Sequence, residues 1–319
     1  MTLDVISRIG FGEPFGSLLA DRDVDGFCEA GNKGLPIASY VLSLGLTHVV
    51  HSPLIYPLVG PGEKDKTGMG KLAANARKVV EKRLEKGVDA TKKTDMISSF
   101  MKHGLDKEEL ITEACLQVVA GADTTASTLR GTMLYLLSHP RIYAKLQNEV
   151  DTALADGLAD PSSVVVPDSV VRKMPYLQAI IRESIRIHPP VTDELPKVVP
   201  RGGQTVTVDG EPVYLPGGTN VGIAILGMFR RRDIFGDDVD LFRPERWLLE
   251  EDETKLAVMN RTVDLVFGYG KYQCLGRPIA LTEIGKTIFE VSRETLYFSS
   301  ILSPLPLCPM RYITAQSPR

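Results

Sequence analysis

Phe267-Gly268-Tyr269-Gly270-Lys271-Tyr272-Gln273-Cys274-Leu275-Gly276 is the stretch on which the reading of this chain turns. It sets one cysteine among three glycines, with a helical pattern beginning near Cys274. An iron-bound thiolate must be deprotonated, shielded and hydrogen-bonded by nearby backbone amides. Gly268, Gly270 and Gly276 permit turns and the close approach of a flat macrocycle that side chains would block. Phe267 can pack beside the sulfur, and the following helix would aim its N-terminal dipole at a thiolate. The same residues also fit a structural cysteine in a glycine-rich turn, so the rest of the chain must decide.

Around that loop the bulk properties are those of an ordinary folded chain. Its 319 residues are 43% hydrophobic and 24% charged, enough to bury a sizeable core. The net charge of -3 and dispersed basic residues give a nucleic-acid partner no support. Cys28, Cys115, Cys274 and Cys308 lie far apart, which argues against a disulfide framework and against a multi-cysteine metal site. The uncharged stretch 35–62 contains Pro36, Pro53 and Pro57, so a continuous spanning helix is not expected. Its apolar pieces, Ile37 to Leu46 and Pro53 to Val59, could dip into a membrane surface or form two core helices.

Periodicity predicts a mainly α chain with a small β region, read as one domain. Gly70 to Gly87 reads as a basic helix with an apolar side. Asp106-Lys107-Glu108-Glu109 fits a capping box, opening a long helix that His139-Pro140 closes near Ser138. A further helix spans Met174 to Ile187. Gln204 to Val213 alternates around Asp209-Gly210, a hairpin signal, and Thr219 to Leu226 is a strand candidate. Residues Asp233 to Asn260 read as irregular.

Two further constellations bear on function. Ala120-Gly121-Ala122-Asp123-Thr124-Thr125 falls inside the long helix, where such residues cost about 2 kcal/mol relative to alanine. Thr124 can bond back to the Ala120 carbonyl, and a widened turn at Gly121 would leave room for a small ligand. An acid beside an alcohol could relay protons there; a kinked, solvent-facing turn satisfying its own polar groups is the plainer reading. Glu183 and Arg186 share a helix face three residues apart, and Arg246 could complete a three-membered charge cluster. Trp247, the one tryptophan, reads as core packing.

Taken together and in this order, the three motifs resemble the cytochrome P-450 family of haem-thiolate monooxygenases, in its fungal microsomal form. The resemblance implies a cytochrome P-450 fold that lacks the N-terminal helices, with residues 1–290 forming a partial haem domain. It implies Cys274 as the thiolate ligand of haem b, with Phe267, Gly268, Gly270, Lys271 and Gly276 around the cofactor. By the same resemblance Asp123 and Thr124 are the proton-delivery pair, and Glu183, Arg186 and Arg246 form a structural cluster. Val118 to Ala122 and Pro190 to Leu195 would line the distal pocket.

The implied reaction inserts one oxygen atom from O2 into an apolar small molecule, with NADPH electrons delivered by a separate flavoprotein reductase. The implied setting is fungal secondary metabolism at the cytosolic face of the endoplasmic reticulum, although no transmembrane anchor is read here. A catalytically inactive haem-domain fragment is the alternative. The chain departs from the family in three places. Tyr272 stands where Arg or His is usual, with Lys271 able to substitute. Lys197 replaces a propionate-binding Arg, with Arg201 nearby, and lysine lacks the bidentate fork. Residues 291–319 read as a divergent tail, a translated intron by the splice-donor coding of Val291-Ser292.

Overall fold

One 32-residue helix, Lys107–Ser138, runs through the chain, about 48 Å at the usual rise. Asp106 accepts the Glu109 amide while the Glu109 carboxylate accepts the Asp106 amide, so the predicted capping box is formed. The computed structural model describes residues 1–50, 52–56, 65–85, 95–192 and 196–302. Within these, the helices of seven residues or more are α1 (Thr2–Phe11), α2 (Phe27–Ser43), α3 (Gly68–Glu85), α4 (Met96–Lys102), α5 (Lys107–Ser138), α6 (Pro140–Ala155), α7 (Pro175–Ile187), α8 (Glu253–Asp264) and α9 (Arg277–Leu302). Two antiparallel pairs make up the β region. Strand β1 (Lys197–Val198) pairs with β4 (Asn220–Val221), and β2 (Gln204–Val208) pairs with β3 (Glu211–Leu215). Asp209 and Gly210 both adopt positive φ, as a two-residue hairpin loop requires.

Helix α5 carries two separate apolar cores. Its N-terminal half, with Leu110, Ala114 and Val118, packs with Leu3 and Phe11 of α1, Phe27 of α2 and Leu72 and Val80 of α3. Its C-terminal half, with Leu129 and Leu136, joins α6, α7, Trp247 and Ile284 and Ile288 of α9. The stretch between Val118 and Leu129 contributes no buried apolar residue to either core. The Asp123-Thr124 motif therefore sits at the seam between them.

Two expectations are corrected. Residues 219–226 are not one strand: only Asn220–Val221 pairs, and Ile225–Met228 turns into helix. The segment 233–260 is not irregular. It holds the 3-10 turn Pro244–Trp247 and most of α8, capped by Asp252 accepting from the Thr254 and Lys255 amides. Helix α9 runs from Arg277 to Leu302, and residues 303–319 of the expected tail lie outside the described part.

Glu183 explains the order in the 235–247 segment. It is fully buried, as is Arg186, and Arg246 is 3% exposed. Arg186 grips the carboxylate through Nε and Nη2 at 2.9 and 2.8 Å, and Arg246 adds Nε at 3.0 Å. The Arg243 amide and the Trp247 indole also donate to it, at 2.9 and 3.0 Å. Trp247 is thus both core packing and a partner of Glu183. The spare guanidinium donors reach the carbonyls of Phe229, Val239 and Leu241 from Arg186, and Phe235 and Asp238 from Arg246. A loop without regular hydrogen bonding is thereby satisfied from within.

At the other end of α7, the Glu149 carboxylate of α6 accepts the Tyr176 and Leu177 amides, both at 2.8 Å. These are orphan donors of the first turn, and Pro175 has none to satisfy.

Removing the shared anion strands two buried guanidiniums. Glu183→Ala should lower folding stability by about 3–5 kcal/mol, seen as a reduced denaturant midpoint of the purified chain. A second prediction concerns Glu283 on α9, partly buried with Oε1 lacking a partner among the described residues. Burial pushes its carboxyl up to about 7 from 4.5. Between those values the folded chain holds a proton that the unfolded chain releases, so stability falls as pH rises through that window. Thermal melts should show Glu283→Gln matching the parent below pH 4.5 and exceeding it above pH 7. Parallel pH profiles for the two would contradict this.

Candidate functional site

Cys274 lies on an exposed loop that connects α8 to α9. Two glycines shape the approach: Gly268 at φ +71° and Gly270 at φ +61°. A Cβ on Gly268 would come within 2.7 Å of the Tyr272 carbonyl oxygen, so only glycine fits that turn. The loop closes on itself where the Cys274 amide donates to the Phe267 carbonyl at 2.6 Å. A Cβ on Gly276 would stand 3.8 Å from Cys274 Sγ, against the sulfur itself. Helix α9 begins at Arg277, and its first-turn amides and dipole lie just beyond the thiol.

The stem of the loop is anchored by charge. Arg277 pairs with Asp264 at 2.7 Å and lies over the Phe267 ring at 5.1 Å. Arg182 of α7 reaches the same carboxylate at 3.6 Å. Phe267 is therefore held between the stem and the second core. An open cleft of about 440 Å³ borders the loop on this side, lined by Asp264, Gly268, Tyr269, Gln273 and Arg277 among others.

Tyr272 draws two of the predicted cofactor residues together. Lys197 Nζ sits 4.1 Å above its ring and Lys271 Nζ 4.9 Å from it. Two ammonium groups thus meet at one tyrosine ring beside the cysteine loop, a pair of cations suited to an acidic group. Arg201 is exposed in the turn before β2, and its guanidinium makes no ion pair among the described residues. The juxtaposition of Lys197 with Tyr272 had no sequence signal, because 75 residues separate them.

Within α5, Thr124 Oγ1 donates to the Ala120 carbonyl at 2.8 Å. Thr128 and Thr132 repeat the same bond to Thr124 and Thr128, at 3.1 and 2.8 Å. Asp123 is exposed, with Arg130 at 3.5 Å. The expected widening at Gly121 is absent: the helix is continuous there. A Cβ on Gly121 would lie 2.6 Å from Ile6 Cγ1, so the missing side chain admits α1, not a ligand. Val118 is buried in the first core. Pro190 is partly buried, and residues 193–195 lie outside the described part.

Two contacts that sequence reading missed border the motif. His188, just after α7, fills the notch of Gly131, where a Cβ would meet its Cδ2 at 2.7 Å, and its Nε2 lies 3.4 Å from Ser127 Oγ. Cys28 at the start of α2 lies within electrostatic reach of the motif: burial, then Asp23 and more weakly Asp123, push its thiol up. Among the described residues no group of three or more His, Cys, Asp or Glu could hold a metal ion.

The donor set fits a haem. Gly270 leaves open space beside the loop, Cys274 offers a single exposed sulfur, and Lys197 and Lys271 bring two cations to the Tyr272 ring, chemistry that a group with acidic substituents requires. Known proteins agree. The family model for cytochrome P450 matches residues 1–291. The chain is 41% identical over 92% of its length to cytochrome P450 monooxygenase ABA1 of Pyricularia oryzae, covering 56% of that protein. It is 36% identical over 96% of its length to cytochrome P450 monooxygenase aba1 of Botryotinia fuckeliana, covering 58%. It is 32% identical over 91% of its length to a pisatin demethylase of Fusarium vanettenii, covering 54%. The chain thus spans little more than half the length of these relatives. A mainly α chain with a small β region, a cysteine loop heading its last long helix and a match across 1–291 lead to one conclusion: this chain belongs to the cytochrome P450 family.

Proposed function

We propose that this chain is the haem-binding part of a monooxygenase that inserts one oxygen atom from O2 into an apolar small molecule. The observation that carries the reading is Cys274, a lone thiol in a glycine-shaped loop at the head of α9, in a chain of this family. When bound, haem b supplies the activation of dioxygen. The protein's part is to ligate, orient and deliver protons. Cys274 supplies the thiolate, and the glycines let the backbone of the loop approach the flat macrocycle closely. Lys197 and Lys271 take the propionates in place of arginines, and Arg201 remains a candidate third cation. Asp123 and Thr124 hold the proton route, with the Thr124 hydroxyl kept in place by its bond to Ala120.

Electrons come from NADPH through a flavoprotein reductase. The names of the fungal relatives support a role in fungal secondary metabolism. The Asp123-Thr124 pair favours descent from a monooxygenase; a catalytically inactive haem-domain fragment is the alternative for this chain. No helix among the described residues is long and apolar enough to cross a membrane. Exposed Ile37, Tyr40, Leu44 and Leu54 on and after α2 support peripheral contact with a membrane surface, at the endoplasmic reticulum by family. The tail beyond Glu290 is proposed to be translated intron, which a cDNA lacking that segment would establish.

The reduced chain under carbon monoxide should give a thiolate-type Soret band that Cys274→Ala abolishes. A band that survives the substitution would assign the wrong ligand, and no band in the parent would defeat the proposal for this chain. Gly268→Ala forces an alanine into positive φ against the Tyr272 carbonyl. The strain is about 1–2 kcal/mol, which predicts haem held about tenfold more weakly in competition with apomyoglobin.

A further inference from the structure

A second cavity, of about 260 Å³, lies away from the cysteine loop between the end of α1, the start of α2 and the second half of α3. Its apolar wall is a run of phenyl rings. Phe11 and Phe15 stack at 5.6 Å between centroids, and Phe15 and Phe27 at 4.4 Å. Its polar side carries Asn75, which is 2% exposed yet only half satisfied. The Asn75 amide nitrogen donates to the Asp25 carbonyl at 2.9 Å, while Oδ1 has no partner. A buried acceptor left single calls for a donor not supplied by the chain.

The backbone at the same place is strained. Asp25, also in the cavity wall, has φ +60°, a conformation that residues with a side chain rarely adopt. Such strain concentrates at ligand clamps. Charge is asymmetric as well. Lys82 is matched by Glu13 at 3.1 Å and Arg83 by Asp95. Lys78, at the cavity rim, has no hydrogen bond or ion pair among the described residues.

We propose that this cavity is a binding site for a small aromatic carboxylate bearing a hydrogen-bond donor. The ring lies on the phenyl stack, the carboxylate faces Lys78, and the donor supplies the Asn75 carbonyl. The volume suits a single substituted ring and is below the usual range for drug-sized ligands. The site is independent of haem and of the reaction proposed above. Phe27 in its wall is the first residue of α2, so occupancy would fix that end of the helix.

Calorimetric titration with 4-hydroxybenzoate tests this directly. Saturable binding is expected, weaker by about fivefold for benzoate, which lacks the donor. Loss of the carboxylate in 4-hydroxybenzyl alcohol, or of the cation in Lys78→Gln, should weaken it by about two- to fivefold. Lys78 is exposed, so that variant should melt as the parent does. Hydrogen exchange should slow at the start of α2 and in the second half of α3. Absence of saturable binding up to about 1 mM would overturn the proposal. So would equal affinity for all three ligands and for Lys78→Gln, or protection confined to α8 and α9.

Discussion

Five N–H groups converge on the one carboxylate of Glu183, from Arg186, Arg246, Trp247 and the Arg243 backbone. A carboxylate offers about four lone-pair sites, so it is saturated, with its charge buried between two guanidiniums. Such a cluster fixes geometry more than it adds stability, because the desolvation of three ions offsets most of their attraction. What it fixes here is extensive. Arg186 and Arg246 spend their remaining donors on carbonyls of the 229–241 segment, which has little regular hydrogen bonding of its own.

The constraint passes from the cluster to the rest of the fold by short links. Arg230 donates to the carbonyls of Arg186 and Ile187, holding the end of α7. His188 follows at once and keys into Gly131 of α5. Arg182, one residue before Glu183, shares Asp264 with Arg277 at the base of the cysteine loop. One buried helix therefore sets the position of both the long helix and the loop carrying Cys274. The seam between the two cores, where α5 turns from apolar to threonine-rich, lies between these anchor points.

The cation arrangement near the loop follows from a change of residue type. Arginine would bring a planar fork to a carboxylate; lysine brings a point charge on a flexible stem. Here two lysines share one tyrosine ring, which keeps both ammonium groups near the loop. Cation–π contacts of this kind are worth about 0.5–1 kcal/mol at exposed sites, enough to bias position without locking it.

Much of this was legible in the chain because the signals are local. The Asp106 capping box, the His139-Pro140 end of the long helix and the Asp209-Gly210 turn are fixed by hydrogen bonds and dihedrals within a few residues. The ordinary spacing of Glu183 and Arg186 announced a pair, and the family resemblance supplied Cys274. What the residues could not declare was where each side chain would be spent. Gly121 looked like space for a ligand and is filled by Ile6, which lies over 100 residues away in sequence. The stretch 235–247 looked irregular because several of its polar groups bond to Glu183 and Arg186 of α7 rather than to neighbours. Sequence alone determined most of the helices and turns, since those depend on backbone preference and short-range bonding. Tertiary structure decided the burial of Glu183, the meeting of Lys197 with Tyr272 and the cavity at Asn75, since each depends on contacts between segments far apart in the chain.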